Sequence, residues 1–225
     1  MTRQQSRGKC SLCGGTFSKG AMTKHLKSWR LKKSVSEKTS GGRSPQKTKR
    51  FHVVVEGRYL PGYWMHLDIP ASATLEALDS FLRQTWLECC GHMSAFTIKG
   101  ARYSSWPMEE FDEKGMDVGL GEVASPRMEF LHEYDFGTPT ELTLRVVSEE
   151  NREIKGKTIR VLARNNPPSI TCDLCGKIAT QVCTQCVWSG EGWLCGECAS
   201  EHECGEEMLL PVVNSPRVGM CGYAG

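Results

Sequence analysis

Residues 63–91, YWMHLDIPASATLEALDSFLRQTWLECCG, decide how the central part of this 225-residue chain folds. The first eight residues alternate between two faces, as side chains do along a β-strand. One face carries four apolar side chains, those of Tyr63, Met65, Leu67 and Ile69. After Pro70 the period becomes helical, with apolar residues at Leu75, Leu78, Leu82 and Trp86. The sequence therefore predicts a strand followed by one amphipathic helix, with Ser72 or Thr74 as its N-cap and Gly91 as its stop.

Segments that read as further strands surround this unit. They are β-branched or alternating, and they are FHVVVE (51–56), SAFTIKGARYS (94–104), MEFLHEYDF (128–136), ELTLRVV (141–147) and KTIRVLAR (157–164). The stretch 107–122 is acidic and rich in glycine, which is typical of a loop. Together these patterns predict an α+β domain over residues 51–165, in which an antiparallel sheet packs on one main helix.

The C-terminal region, residues 166–225, carries the strongest motif of the chain. Residues 172–204 follow the pattern C-x2-C-x7-C-x2-C-x8-C-x2-C-x3-H-x-C. The eight candidate ligands are Cys172, Cys175, Cys183, Cys186, Cys195, Cys198, His202 and Cys204. Because C-x2-C turns suit tetrahedral zinc, and because the segment is too poor in large apolar residues to build its own core, we predict a double-zinc module with two structural ions.

Two pairing schemes are open for this module. A cross-brace places the first and third C-x2-C pairs on one ion, and the second pair with His202 and Cys204 on the other. Sequential pairing is the alternative, and Cys221 could replace Cys204, since His202 and Cys204 are only two positions apart. In each scheme four protein ligands fill the site, which is typical of structural and not of catalytic zinc.

Residues 1–30 read as a basic zinc-finger-like knuckle. Cys10, Cys13 and His25 follow the spacing of a Cys2His2 finger, but the positions three to five residues after His25 hold Trp29, Arg30 and Leu31, which do not bind zinc. Three interpretations remain open: a third zinc with a distant fourth ligand, a weak or water-completed site, or a finger held by packing alone. The distant candidates are Cys89, Cys90, His52 and His92.

Charge is distributed unevenly along the chain, whose formal net charge is +2. Residues 1–50 hold fourteen Lys and Arg against one acid, Glu37, whereas residues 51–165 and 166–225 are net negative. Residues 31–50 contain few apolar side chains and predict a flexible basic linker. The basic end predicts contact with nucleic acid through phosphates, and its alternative is a solvated tail. The candidate residues are Lys19, Lys24, Lys27, Arg30, Lys32 and Lys33.

The central segment resembles the plasmid pRiA4b ORF-3-like family, which is associated with transposons and plasmids. Residues 63–98 carry the family's strand, helix and His-x-x-x-Phe signature, and EYDFG at 133–137 matches its most recognisable motif. The resemblance covers roughly residues 51–150, and some members are similar in having zinc-binding ends. It implies an accessory role in a mobile element or its host.

Other features of the sequence bear on chemistry and compartment. The N-terminus lacks the apolar core of a secretory signal, and no stretch reaches the roughly 18 apolar residues of a membrane span, so we expect a cytoplasmic protein with reduced thiols. Glu88 to His92 could form a Cys-His nucleophile, although packing or donation of one metal ligand is the plainer interpretation. The acidic loop could hold a hard cation or simply be solvated.

We therefore expect a non-enzymatic zinc-binding accessory protein that contacts nucleic acid through its basic N-terminus and a protein through its acidic module. A protein-only intracellular adaptor is the alternative. A metal-dependent nuclease that uses the acidic loop, including Asp112, and the N-terminal site with His25 is a third hypothesis.

Overall fold

The computed structural model describes residues 6–37, 47–152 and 158–225, and for 29–37 it describes the backbone alone. Twelve strands lie within these ranges. They are β1 (Arg7–Cys10), β2 (Thr16–Ser18), β3 (Thr48–Gly57), β4 (Trp64–Pro70), β5 (Ser94–Ile98), β6 (Ala101–Ser104), β7 (Glu129–Tyr134), β8 (Thr140–Arg152), β9 (Arg160–Asn165), β10 (Gln181–Cys183), β11 (Trp193–Leu194) and β12 (Leu209–Pro211).

The helices of the described chain are few. They are α1 (Lys19–Glu37), α2 (Leu75–Leu82), α3 (Leu120–Val123) and α4 (Gly196–Ser200). A π-helical turn, Arg83–Leu87, extends α2, and short 3-10 turns lie at Glu109–Phe111, Cys186–Ser189 and Glu206–Met208. Most of the predicted acidic loop, 107–122, is irregular, as its glycines and charges indicate.

Nine of the described strands form one antiparallel sheet, in the order β2-β1-β9-β4-β3-β8-β7-β5-β6. Strands β10, β11 and β12 form a second, three-stranded sheet in the C-terminal module. The predicted α+β class, with an antiparallel sheet packed on one main helix, is confirmed.

Helix α2 forms where the apolar period changes. The Thr74 hydroxyl accepts the N–H of Ala77 at 3.1 Å, so Thr74 is the N-cap. The apolar face of the helix is fully buried against the sheet, through Leu75, Leu78, Leu82 and, in the π-helical turn, Trp86. On the same interface His132 Nε2 lies 2.7 Å from Asp79 Oδ1, which joins helix to sheet by a buried polar contact.

The second face of β4 is buried as well, because the N-terminal knuckle covers it. Trp64 is fully buried among Met22 and Leu26 of α1 and Leu162 of β9. Strand β1 pairs antiparallel with β9, so the knuckle extends the large sheet. A Cβ on Gly8 would lie 2.3 Å from the backbone oxygen of Arg164, and therefore only glycine allows the strands to approach this closely.

Two boundaries differ from the sequence prediction. Helix α1 continues past the end of the zinc-finger pattern to Glu37, and β3 begins at Thr48, so both elements extend into the predicted linker. The part of the predicted linker between them, 38–46, lies outside the described residues. Within the described ranges, no helix is both long and apolar enough to cross a membrane.

We predict that Gly8→Ala weakens the docking of the knuckle, because its methyl group would collide with the backbone of β9. The free energy of unfolding should fall by about 1–3 kcal/mol, the usual cost of overpacking, in a chemical denaturation experiment. Gly20→Ala is the matched control, since Gly20 lies on α1 with open space around it. The control should leave stability equal or raise it by up to about 1 kcal/mol. Equal effects of both substitutions would contradict this packing account.

Candidate metal centres

The described residues contain four groups of cysteine and histidine whose ligand atoms lie within 4.8 Å of one another. We name them by their place in the fold. They are the knuckle cluster (Cys10, Cys13 and His25), module cluster 1 (Cys172, Cys175, Cys195 and Cys198), module cluster 2 (Cys183, Cys186, His202 and Cys204) and the tail cluster (Cys89, Cys90, His92 and Cys221). Each of the twelve cysteines of the chain belongs to one of these groups.

The two module clusters have the connectivity of a cross-brace. The first and third C-x2-C pairs meet in module cluster 1, where Cys175 Sγ and Cys195 Sγ are 3.6 Å apart. In module cluster 2, Cys186 Sγ and Cys204 Sγ are 3.5 Å apart. The sequential scheme is therefore wrong, and so is the exchange of Cys221 for Cys204, since Cys221 lies in the tail cluster.

One backbone turn builds both the knuckle cluster and module cluster 1. The sequences CSLCG (10–14) and CDLCG (172–176) each end on a glycine with φ of +73°. In each turn the N–H of that glycine donates to the carbonyl of the first cysteine at 2.9 Å. Residues that carry a side chain rarely adopt this left-handed backbone conformation. Gly14 and Gly176 therefore allow the chain to turn back, so that the two sulfurs of each pair point at one position.

Backbone amides and neighbouring thiols set the charges in the module. Burial raises the pKa of Cys172, but backbone N–H groups of Cys195 and Cys175 outweigh it and lower that pKa to about 6. The opposite holds for Cys198, whose hydrogen bonds with Cys175 and then Cys195 raise its pKa to about 12. Four thiolates this close repel one another unless a cation lies between them, which is what a zinc-type site supplies.

The same balance holds in module cluster 2. Burial raises the pKa of Cys183, but the backbone N–H of Cys186 and the side chain of His202 lower it to about 7 overall. The pKa of Cys186 is raised to about 12, chiefly by its hydrogen bond with Cys204. Thiol separations of 3.5 and 3.6 Å in the two clusters are near the ~3.8 Å edge of a tetrahedron with Zn–S bonds of ~2.3 Å. The donors present therefore fit a divalent, thiophilic metal.

The knuckle cluster holds three donors among the described residues. Cys13 Sγ lies 3.3 Å from His25 Nε2, and the Phe17 ring stacks on the imidazole with centroids 4.3 Å apart. The four candidates for a distant fourth ligand do not join the cluster. Three of them belong to the tail cluster, and His52 lies buried on β3 with its Nε2 atom 2.8 Å from His66 Nδ1.

The tail cluster joins two segments that are far apart in sequence. Cys89, Cys90 and His92 follow the π-helical turn, whereas Cys221 comes from the C-terminal tail, which we define as residues 212–225. Cys90 Sγ lies 3.5 Å from Cys89 Sγ and 3.6 Å from Cys221 Sγ. His92 Nε2 is 3.2 Å from Cys221 Sγ.

Beside this cluster the EYDFG motif holds a buried arginine of the tail. Asp135 has a φ of +67°, and its Oδ1 atom accepts the N–H groups of Gly137 and Thr138, which stabilises the turn between β7 and β8. Its Oδ2 atom accepts the Arg217 guanidinium at 2.7 Å. The fully buried guanidinium also lies over the ring of Tyr134, 4.8 Å from its centroid.

The candidate nucleic-acid residues differ in their surroundings. Lys24 and Lys27 are exposed on α1, whereas Lys19 is half-buried and paired with Glu56. Arg30, Lys32 and Lys33 continue the backbone of α1. Of the six candidate residues, Lys24 and Lys27 are therefore the two whose side chains are both described and exposed.

The acidic loop places Glu113 beside the positively charged side chain of Arg102. Glu113 Oε1 accepts the Arg102 guanidinium at 2.9 Å, and its Oε2 accepts the N–H of Met108 at 3.1 Å. The metal groupings found in the described residues include no carboxylate of this loop. Within the described part of the chain, Asp112 and its neighbours share no metal grouping with His25.

Sequence reasoning missed the tail cluster as a unit. The signal was arithmetic: once four C-x2-C pairs and Cys204 are assigned, Cys89, Cys90 and Cys221 remain, with His92 close to the first two. Sequence order could not bring Cys221 to the others, because 131 positions separate it from Cys90.

Comparison with known proteins adds little to these observations. No family model matches the sequence. No curated protein matches it either. A solved structure of a protein of unknown function from Methanosarcina mazei Go1 matches with a TM-score of 0.44 and 16% identity, over 52% of this chain and 69% of that chain. The case for function therefore depends on the chain's own residues.

We predict that Cys175→Ala lowers the metal content of the chain by one ion, because it removes a donor from module cluster 1. Native mass spectrometry would count the ions per chain. Leu174→Ala is the matched control, since Leu174 occupies the same turn but is 61% exposed and is not a donor. Unchanged metal content in Cys175→Ala would contradict the assignment of this cluster.

Proposed function

We propose that this chain is a non-enzymatic, zinc-binding accessory protein that contacts nucleic acid through its basic N-terminus and a protein partner through its acidic C-terminal module. The resemblance to the pRiA4b ORF-3-like family supports a role in a mobile element or its host. The choice of zinc follows from the donors, because thiolates and imidazoles in closed tetrahedral groups select zinc over hard cations such as Mg²⁺.

The observation that carries the nucleic-acid proposal is the orientation of α1. Met22 and Leu26 are fully buried against the sheet, which fixes the helix on the protein. The same orientation leaves Lys24 and Lys27, three residues apart, on the exposed side. These lysines belong to a segment with fourteen bases and one acid, and a rigid, exposed basic helix suits phosphate neutralisation.

The module supports a protein partner and not nucleic acid. Residues 166–225 contain two bases and seven acids, and metal-bound thiolates add negative charge. Four large apolar side chains of the module are exposed, Leu174 at 61%, Ile178 at 59%, Trp188 at 67% and Met208 at 36%. Trp193, by contrast, is packed against the main core. The exposed side chains favour a protein-only adaptor as the second candidate function.

We predict that Lys24→Glu/Lys27→Glu weakens the binding of the full chain to a short DNA duplex or a single-stranded RNA. If both lysines contact phosphates, the slope of log affinity against log salt for duplex DNA should fall by about 2, and affinity at low salt by at least about tenfold. Fluorescence anisotropy over a salt series measures both quantities.

A charge-matched control separates contact from net charge. Lys99→Glu/Arg127→Glu changes the formal charge by the same amount at two exposed positions on turns of the central domain. This control should keep the salt slope of the unmodified protein. If the unmodified protein binds neither nucleic acid, or if both double variants behave alike, the protein-only adaptor becomes the better account.

A further inference from the structure

We propose that the tail cluster, Cys89, Cys90, His92 and Cys221, is a further zinc site, separate from those of the module and the knuckle, and that its metal fastens the C-terminal tail to the central domain. With four protein donors the site is complete, which is typical of structural zinc. This proposal does not depend on nucleic-acid binding.

The donor atoms already have the spacing of a metal site. Cys90 Sγ lies at 3.5 Å from one thiol of the cluster and 3.6 Å from another, near the ~3.8 Å edge expected for tetrahedral zinc. The imidazole of His92 points its Nε2 atom at the thiols, 2.9 Å from Cys90 Sγ and 3.2 Å from Cys221 Sγ. These separations exceed the ~2.05 Å of a disulfide bond, so the sulfurs surround a point without being joined.

The first three ligands are held by the end of the helix they follow. Glu88 Oε1 accepts the N–H of Gly91 at 2.6 Å and the hydroxyl of Tyr134 at 3.1 Å. Glu88 is also paired with Arg83 of the π-helical turn. The bend between Cys90 and His92 is therefore fixed from both the helix and the sheet before any metal binds.

The fourth ligand depends on a tail that is itself anchored. Ser215 Oγ donates to the carbonyl of Trp86 at 2.6 Å, and Arg164 donates to the carbonyl of Asn214. Val218 is buried in the main core. The last of these anchored residues, Val218, lies three positions before Cys221, so little further conformational entropy is lost when the thiol joins the cluster.

Charge balance favours a divalent ion at this site. One Zn²⁺ with three thiolates and a neutral imidazole carries a net charge of −1. The buried Arg217 guanidinium, which is also paired with Asp135, donates to Cys89 Sγ at 3.4 Å and so places a positive charge beside one thiolate of the site. Asp135 Oδ2, which accepts that guanidinium, lies 3.5 Å from His92 Nε2 at the edge of the cluster.

The tail that the proposed metal would hold also packs against the three-stranded sheet of the C-terminal module. A Cβ on Gly219 would lie 3.2 Å from a methyl group of Val182 on β10, so the tail runs close against the module's sheet. A Cβ on Gly57, at the end of β3, would lie 3.1 Å from Pro216 Cβ. The tail therefore lies between domain and module, and a metal at Cys221 fixes its last residues.

Native mass spectrometry of the full chain, combined with hydrogen exchange of the tail, tests the proposal. Cys221→Ser and, independently, Cys90→Ser should each lose one zinc relative to the unmodified protein and raise exchange in residues 212–225. Both side chains are exposed, so neither substitution opens a cavity in the core. Met93→Ser, an exposed non-ligand next to His92, is the control and should keep the full zinc count.

The zinc counts of these variants support or overturn the proposed tail site. Loss of one zinc in either cysteine variant, with the control unchanged, supports the site. An unchanged zinc count in both cysteine variants overturns it. So does an unmodified protein whose mass is two daltons low with a disulfide mapped to any two of the three cysteines.

Discussion

Mutual crowding of thiols is the constraint on which the rest of this structure depends. In the module, sulfurs of different chain segments approach to 3.5 and 3.6 Å, and neighbouring thiols raise the pKa of Cys198 to about 12. Such groups cannot all ionise around an empty point, whereas a divalent metal turns their repulsion into attraction. Small sheets such as β10 to β12 bury too little apolar surface to replace that contribution.

The large sheet joins the N-terminal knuckle to the central domain, two regions that the sequence predicts as separate. The knuckle supplies the edge strand β2 and its neighbour β1, and Trp64 is enclosed between the sheet and α1. At another part of the sheet, Asp135 and Tyr134 receive the buried Arg217 of the tail. The motif EYDFG therefore has a structural explanation, because it forms both a turn and the seat for a charged side chain from the far end of the chain.

Local patterns made much of this predictable. The change of period after Pro70 predicted β4 and α2, and C-x2-C spacing indicated the candidate ligands of the module, although it left their pairing open. What could not be predicted comes from contacts between distant segments, which leave no periodic trace. Gly8 pairs with Asn165, and Cys90 meets Cys221, and no spacing rule connects either pair. Helix α1 also runs past the end of the finger motif to Glu37.

Crystal diffraction data collected on both sides of the zinc absorption edge would test the central claim most directly, because the anomalous difference locates each metal without reference to the protein. The account predicts a peak at the centre of both module clusters and the tail cluster, about 2.3 Å from the surrounding sulfurs. Module clusters without a peak, or with sulfurs joined at about 2.05 Å as disulfides, would contradict it.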